Sequence, residues 1–502
     1  MESIKKNEIW FVTGSQHLYG PDVLETVKSN SQCIVDALNI GQRIPVKIVF
    51  KEVLTTSEQI LNILLAANMQ QDCIGIITWM HTFSPAQMWI RGLQAISKPI
   101  LHFHTQFNRE IPWDGIDMDF MNLNQAAHGD REFGFIMSRM RMNRKVVTGF
   151  WQDSSIQEKI AIWVRVAKAR AAWKSTRIAR FGDNMRNVAV TEGDKVQAQI
   201  QFNFSVLGFG MGDLVEYVNK VQNDEIQILL QEYDRLYEIS PDLKKDGKAH
   251  DSLIESARIE CGMRNFLEIN NFQGFTSNFE DLHGLSQLPG IAVQRLMAEG
   301  YGFGAEGDWK TAALLRAMKV MAEGLEGGTS FMEDYTYHMD PFAMKVLGAH
   351  MLEVCPSIAS NRPRIEIHKL GIGGKADPVR LVFNSKEGKA LNASLIDLGN
   401  RFRLIVNTVR AVDQNVALPK LPVARVVWEP EPNLEMAATA WILSGGAHHT
   451  AYTQALTSEY LEEFAEMTDI EFVCIDHDLR ISELKNQLRW NEAYFLLKSF
   501  GK

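Results

Sequence analysis

The pattern of the chain changes between residue 302 and residue 353. This stretch begins with GFGAEGDW (302–309), passes through a helical segment and continues with GGTSFMEDY (327–335) and GAHMLE (348–353). Before Gly324, short apolar runs alternate with amphipathic segments, which is typical of parallel βα units. After Gly324, strands are separated by Gly, Pro and Asn turns, which indicates a mainly antiparallel sheet. The sequence therefore predicts an α/β protein with a β-rich C-terminal part.

At 502 residues, the chain is long enough for two or three domains. We predict two αβ domains of the Rossmann or flavodoxin type, residues 1–175 and 176–325, followed by a mostly antiparallel, barrel-like domain, residues 326–502. Strands are expected at 9–13, 46–50, 74–78, 100–102 and 187–191. A long amphipathic helix, 151–173, is expected to join the two αβ domains. Ligand-binding loops should lie at the carboxyl ends of the parallel strands.

The composition argues against several classes of partner. The chain is 46% hydrophobic and 23% charged, as in ordinary globular proteins. Its net charge of −9 disfavours nucleic acid or an acidic membrane surface as the main partner. No apolar run approaches the length of a membrane span, and no dinucleotide fingerprint or phosphate-binding loop is present. The scattered cysteines indicate free thiols, and the N-terminus lacks a signal-peptide core, so a cytoplasmic protein is expected.

Two carboxylates and three imidazoles stand out in turn-like or strand-like contexts. Glu306, Glu333 and His350 lie in the three segments quoted above, and GGAHHT (445–450) adds His448 and His449. The segments do not share a helical turn, which argues against a zinc-finger or HExxH site. Mixed carboxylate and imidazole ligation suits Mn²⁺, Co²⁺ or Fe²⁺, with Zn²⁺ also open. Each residue taken singly also has a structural explanation: Glu306 as a helix cap, Glu333 as a solvated strand residue and His350 as a core histidine.

Over essentially its whole length, the chain resembles the L-arabinose isomerase family. The resemblance rests on the segments quoted above together with WFVTGSQHLYG (10–20), MDFMNLNQ (118–125), RFGDNMR (180–186) and LRWNE (488–492). It implies one Mn²⁺ per subunit, with Co²⁺ as a substitute, and the ligands Glu306, Glu333, His350 and His449. It also implies a homohexamer whose sites are shared between subunits.

The same resemblance implies a set of sugar-binding residues. Its members are Gln16, Leu18, Tyr19, Phe83, Gln125, His128, Met185, Phe279 and Tyr335. Gln125 and His128 are expected to reach the substrate site of a neighbouring subunit. The wall at the far end of the sugar is expected to consist of Leu18, Phe279 and Ile372. His448 is expected to be a pocket group rather than a ligand, because consecutive side chains of a strand point to opposite faces.

The function implied by the resemblance is that of an aldose–ketose isomerase that converts L-arabinose to L-ribulose, the first step of L-arabinose catabolism. The reaction removes the C2 proton and returns a proton to C1 through a cis-enediol, whose developing charge a cation would neutralise. Glu306 and Glu333 are the expected acid–base pair, and a hydride shift is an open alternative. D-galactose shares the configuration of L-arabinose at C2, C3 and C4, so slow conversion to D-tagatose is expected. The alternative functions are a non-catalytic sugar-binding protein and a metal-dependent hydrolase or aldolase.

Overall fold

The computed structural model describes residues 7–41, 43–370, 374–413 and 418–499. The chain divides into two compact units, which meet in sequence between Ala171 and Ala172. None of the helices in the described ranges is long and apolar enough to cross a membrane.

A five-stranded parallel sheet forms the centre of the first unit. Its strands are β1 (Glu8–Gly14), β2 (Lys47–Leu54), β3 (Cys73–Met80), β4 (Ile100–His104) and β5 (Lys145–Thr148). They are hydrogen-bonded in the order β2-β1-β3-β4-β5, which is the flavodoxin-like order. Because β1 pairs with both β2 and β3, the strand order reverses beside it. The crevice at the carboxyl ends of β1 and β3 is where ligands bind in such sheets.

The helices of the first unit cover this sheet. They are α1 (Pro21–Ile40), α2 (Ser57–Met69), α3 (Ile90–Ala95), α4 (Met118–Leu123), α5 (Ala126–Arg139) and α6 (Ser154–Trp173). In α1 the buried residues Val27, Ile34 and Leu38 recur at helical spacing, which places them on one apolar face. All eight residues of β3 are buried, as expected for a parallel strand with both faces covered. The prediction of a long helix near 151–173 is confirmed by α6.

The second unit begins with another set of parallel strands. Its first elements are β6 (Arg177–Phe181), α7 (Lys195–Phe202), β7 (Ser205–Phe209), α8 (Met211–Lys220), α9 (Asn223–Leu236), β8 (Glu238–Ile239), α10 (His250–Ile269), β9 (Gly274–Ser277), α11 (Gly290–Ala298), β10 (Gly302–Ala305) and α12 (Trp309–Ala322). Four strands form a parallel sheet in the order β10-β9-β6-β7. The strand expected at 187–191 is wrong. Asn187 has a left-handed φ of 67°, and Ala189–Thr191 forms a 3-10 helix, so the extended run is β6 instead.

The remainder of the second unit is rich in β-structure. Its elements are β11 (Thr329–His338), β12 (Lys345–Ala349), β13 (Arg364–Ile367), β14 (Val379–Val382), β15 (Gly388–Asp397), β16 (Phe402–Val412), β17 (Arg425–Pro430), α13 (Leu434–Ser444), β18 (His449–Thr453), α14 (Ser458–Thr468), β19 (Glu471–Ile475) and α15 (Ile481–Ser499). Seven strands follow the order β15-β18-β11-β12-β17-β16-β19, and β15 also pairs with β16. These pairs are antiparallel except β16 with β19. A mostly antiparallel sheet is thus confirmed, whereas its description as a barrel stays a prediction.

Residues on both sides of position 325 share one apolar core. Leu229 and Leu253 belong to the same buried cluster as Trp428 and Tyr452. A small sheet joins the same two parts of the chain, because β13 pairs with β8 as well as with β14. The division of this unit into two domains at residue 325 stays a prediction.

Candidate active site

Glu306 lies in the turn between β10 and α12, at the carboxyl edge of the second parallel sheet. Its φ of 60° is left-handed, and Gly307 follows with a φ of 85°. A Cβ on Gly307 would lie 2.6 Å from the Cα of Asn184, so the tight approach of these two loops requires glycine. The N–H of Met185 donates to the Glu306 carbonyl over 3.0 Å. A strained, fixed backbone at a polar residue is a common feature of functional sites.

The register of the C-terminal sheet gathers the other three residues. Glu333 on β11 stands opposite His449 on β18 and, on its other side, opposite Ala349 on β12. His350 directly follows Ala349. Residues directly opposite in an antiparallel pair have Cβ atoms roughly 5 Å apart. Strand pairing therefore brings together side chains that are far apart in sequence.

Three of the four side chains have ligand atoms close enough together for one cation, and Glu333 lies beside one of them. The Nε2 of His449 lies 3.7 Å from a carboxylate oxygen of Glu306, and the Nε2 of His350 lies 3.9 Å from one of Glu333. Potential ligand atoms of Glu306, His350 and His449 all lie within 4.8 Å of one another. Two atoms that each bind one ion at about 2.1 Å can be at most about 4.2 Å apart. The two measured pairs satisfy that limit.

Both imidazoles are held by a second carboxylate. The Nδ1 of His350 hydrogen-bonds Glu353 over 2.5 Å, and the Nδ1 of His449 lies 3.3 Å from Asp308. Within the described residues, the buried Nε2 of His449 has no hydrogen-bond partner. Metal-binding histidines usually have one nitrogen fixed by a carboxylate and the other free for the ion. The residues present thus suit a divalent cation.

Asp308 has three further roles in this network. It caps the first turn of α12 by accepting from the N–H and the hydroxyl of Thr311, so the interpretation of Glu306 as the helix cap is wrong. The Nζ of Lys310 lies 3.3 Å from the Oδ1 of Asp308, whereas His449 faces the Oδ2. Burial alone would raise the pKa of Asp308, but Lys310 and His449 outweigh it and hold that pKa well below its usual range. Because an ionised carboxylate can only accept a hydrogen bond, Asp308 favours the tautomer of His449 that has its proton on Nδ1.

Asp308 and Glu353 were not among the site residues predicted from the sequence. Asp308 lies two residues after Glu306 and Glu353 three residues after His350, inside the quoted segments. A search for carboxylates near each candidate histidine would have found Glu353, because it is local in sequence. The contact between Asp308 and His449 is a tertiary one, and only the fold reveals it.

Electrostatic effects within the cluster favour its charged forms. Burial would raise the pKa of Glu306, yet the neighbouring imidazoles of His448, His449 and His350 lower it. His448 is half exposed, its Nε2 lies 4.0 Å from Glu306, and this carboxylate raises its pKa. The assignment of His448 as a pocket group rather than a ligand stays a prediction.

The predicted sugar-binding residues fall into two sets, one in each unit. In the first unit, the hydroxyl of Tyr19 donates to Gln125 over 3.1 Å, and the rings of Phe83 and His128 are 4.9 Å apart. The 3-10 helix that follows β1 contains Leu18 and Tyr19, and Gln16 directly precedes it. This set therefore lies at the crevice beside β1 and β3.

The second unit contains three of the predicted wall residues, Met185, Phe279 and Tyr335. Met185 contacts the backbone of Glu306 as described above. Phe279 is half-buried and follows β9, and Tyr335 lies two residues after Glu333 on β11 and is 52% exposed. Ile372, the third predicted residue of the far wall, lies outside the described residues.

Fold and site together define an α/β enzyme in which a glutamate at the edge of a parallel sheet lies beside a glutamate and two histidines of an antiparallel sheet. Comparison with known proteins identifies the family. The L-arabinose isomerase N-terminal, central and C-terminal domains match residues 3–175, 177–324 and 328–471, respectively. The chain belongs to the L-arabinose isomerase family, and it is an isomerase.

Individual relatives agree with this assignment. The chain is 60% identical over 497 residues to an L-arabinose isomerase of Herpetosiphon aurantiacus, which covers 99% of both chains. It is 60% identical over 495 residues to that of Geobacillus stearothermophilus, again 99% of both. It is 57% identical over 498 residues to that of Serratia proteamaculans, also with 99% coverage of both. The predicted enzyme class is thereby confirmed.

Proposed function

We propose that the chain converts L-arabinose to L-ribulose with a divalent cation held by Glu306, Glu333, His350 and His449. The observation that supports this most directly is the pair of imidazoles whose Nδ1 atoms face carboxylates. Their Nε2 atoms face Glu306 and Glu333 instead. The donor set of oxygen and nitrogen atoms suits Mn²⁺, with Co²⁺ as a substitute. When bound, the cation would neutralise negative charge that develops on the sugar oxygens O1 and O2.

The residues of the chain would carry the proton between C2 and C1. One carboxylate of the Glu306–Glu333 pair removes the C2 proton while O1 gains a proton, which gives a cis-enediol. A proton is then returned to C1 from the protonated carboxyl group while the O2 hydroxyl loses its proton, which gives the ketose. The lowered pKa of Glu306 keeps this group ionised at neutral pH and available as a base. Because two coupled carboxylates titrate as a unit, the roles are assigned to the pair.

The remaining residues would bind and shield the substrate. Gln16, Gln125 and His128 offer hydrogen bonds to sugar hydroxyls, whereas Phe83, Phe279 and Tyr335 offer apolar walls. We further propose a homohexamer with shared sites, in which another subunit covers Leu18, whose side chain is 82% exposed in the single chain. The five free cysteines are compatible with the proposed cytoplasmic location.

The arrangement of the sheet supports a rigid frame for the ligands. Pairing of β15 with both β18 and β16 leads back around six strands, and we propose that this part forms a closed barrel. Closure would leave those strands without a free edge and would hold Glu333 between its two neighbours.

Slow conversion of D-galactose to D-tagatose is part of the proposal. The cation and both glutamates would contact the same atoms in either sugar, since C2, C3 and C4 have the same configuration. Discrimination at the far wall is worth about 1–3 kcal/mol, or roughly 10–200-fold in kcat/KM. Complete absence of D-tagatose at high enzyme concentration would contradict this side activity.

Turnover before and after removal of metal tests the central proposal. A chelator should abolish the production of L-ribulose, and Mn²⁺ or Co²⁺ should restore it. Running the restored reaction in D₂O separates the mechanisms, because a proton transfer introduces deuterium at C1 and a hydride shift does not. Full activity in a preparation free of metal by elemental analysis would rule out the metal-dependent mechanism.

A further inference from the structure

Two loops at the carboxyl edge of the second parallel sheet contain proposed wall residues of the sugar pocket. Residues 182–187 follow β6 and include Met185, and residues 278–282 follow β9 and include Phe279. Because β6 and β9 are neighbouring parallel strands, the two loops leave the sheet side by side. Contacts between the loops therefore restrain the backbone that carries Phe279.

Arg186 bridges the two loops with its guanidinium and its backbone. Its Nη1 lies 3.0 Å from an oxygen of Glu280, and its Nη2 lies 3.2 Å from an oxygen of Asp281. The backbone N–H of Arg186 donates to the same Glu280 oxygen over 3.2 Å. Glu280 and Asp281 directly follow Phe279. Because the donors of a guanidinium have a fixed planar geometry, bonds to two adjacent carboxylates restrain orientation as well as distance.

Asp281 strengthens the contact between the loops. Its Oδ2 accepts from the backbone N–H of Asp183 over 2.9 Å, while its Oδ1 faces Arg186. Gly182 has a φ of 80°, and a Cβ there would lie 2.7 Å from the Cβ of Asp281. The close approach of the two loops at this point therefore requires glycine.

Asn278 fixes the turn that contains Phe279. Its Oδ1 accepts from the backbone N–H of Glu280 over 3.1 Å, and its Nδ2 lies 3.3 Å from Asp281. The residues on both sides of Phe279 thus take part in hydrogen bonds that set its backbone position.

The loop of residues 182–187 is also bonded to the turn that carries the metal-ligand candidate Glu306. The N–H of Met185 donates to the Glu306 carbonyl, and the Nδ2 of Asn184 donates to the carbonyl of Gly307 over 3.2 Å. The same loop therefore links the turn of Glu306 to the turn of Phe279. Through it, the bonds of Arg186 set the spacing between the proposed reacting groups and the proposed far wall.

The stability of the fold does not explain this arrangement well. The side chain of Arg186 is 66% exposed, and exposed ion pairs usually contribute little to the free energy of unfolding. The effect of Arg186 is therefore expected on the position of Phe279.

We infer that Arg186 is a positioning residue that determines sugar specificity. Its bonds to Glu280 and Asp281 hold Phe279 against the far end of L-arabinose and restrict the space for the additional CH₂OH group of D-galactose. The inference rests on the proposed function and goes beyond it, because it assigns the discrimination to a group behind the wall.

Steady-state kinetics of the Mn²⁺-loaded enzyme with both sugars test the inference. Arg186→Met keeps the aliphatic stem and removes the guanidinium, and Glu280→Gln removes the charge that faces it. In each variant, the ratio of kcat/KM for D-galactose to that for L-arabinose should rise by about threefold or more, a part of the roughly 10–200-fold discrimination of such a wall. Arg186→Lys, which keeps the charge, should give a smaller rise. Glu280→Gln carries the test if Arg186→Met fails to fold.

Two controls separate this effect from a general loss of structure. The double variant Arg186→Met, Glu280→Gln should show the ratio of the single variants, because both changes break one contact and their effects are then not additive. Arg480→Met, at an exposed arginine that pairs with Glu483 over 3.2 Å, should keep the wild-type ratio.

Two results would overturn the inference. The first is a wild-type ratio in both single variants, including the case in which the rates for both sugars fall together, which would show a purely structural role. The second is a rise that adds up in the double variant, since Arg186 and Glu280 would then act separately. Absence of L-arabinose turnover in the wild-type enzyme would instead contradict the proposed function, and the inference with it.

Discussion

The metal-ligand candidates and the sugar-binding candidates of the first unit differ in how firmly the chain holds them. His449 and His350 are buried, and carboxylates fix both rings. Leu18, by contrast, is 82% exposed, and Tyr19 has a single side-chain hydrogen bond to Gln125. The metal-ligand candidates are thus held in place by neighbouring carboxylates, whereas the edge that contains Leu18 and Tyr19 is open. Preorganised charge lowers the cost of catalysis, and an open edge permits assembly and substrate entry.

The largest expected effect is a loss of kcat in variants that still fold. Glu306→Gln and Glu333→Gln should each lower kcat by roughly 10²–10⁴-fold, because each removes a proton-transferring carboxylate. Production of L-ribulose and bound metal are measured together. If either variant keeps near-native kcat with metal bound, the acid–base assignment is wrong. Glu366→Gln, at a glutamate that hydrogen-bonds His368, is the control and should retain activity.

The next effect concerns the carboxylates behind the imidazoles. Asp308→Asn and Glu353→Gln should weaken metal binding by about 10–100-fold, because the rings lose the groups that orient them. Affinity is measured by titrating Mn²⁺ into chelator-treated protein. The Glu366→Gln protein again serves as the control, because Glu366 hydrogen-bonds His368, which is not one of the metal-ligand candidates. Unchanged affinity in both variants would show that the two carboxylates do not position the ligands.

A pH dependence should distinguish the buried region from the open one. Burial and the charge of Glu333 raise the pKa of Asp334 to about 7, and its Oδ1 is buried without a partner among the described residues. In the unfolded chain this pKa is about 3.9. Between these two values the native state binds more protons than the unfolded state, so the free energy of unfolding should fall as pH rises from about 4 to 7.

Asp334→Asn should flatten this decline. Denaturant titrations of the metal-free protein at several pH values between 4 and 8 would measure it. Asp114→Asn, at an exposed position, is the matched control and should keep the wild-type slope. A slope in Asp334→Asn equal to that of the wild type would mean that another group causes the decline.

The smallest effect tests the open edge. Tyr19→Phe removes the hydroxyl that donates to Gln125 and should raise KM by about fivefold, as expected for a hydrogen bond worth about 1 kcal/mol. Metal content should stay at the wild-type value, because Tyr19 is not one of the proposed metal ligands. Loss of metal in the Tyr19→Phe protein would contradict the view that the open edge and the metal-ligand candidates act independently.

The amino-acid sequence was sufficient to predict the alternation of strands and helices, the change of pattern after Gly324 and the family. Local signals were sufficient for these, since apolar periodicity reports which face of an element is buried and long motifs report ancestry. The same signals placed a strand at 187–191, where the left-handed Asn187 ends any extended run.

Contacts between residues that are far apart in sequence were found from the tertiary structure and not from the sequence. Strand register places Glu333 opposite His449, and the turn after β10 brings Asp308 to the same imidazole. The hydrogen bonds of Asp130 with His102 and His104 likewise join helix α5 to strand β4. Register and packing depend on the whole hydrogen-bonded sheet and on the shape of the core, and neither is encoded in any short stretch of the chain.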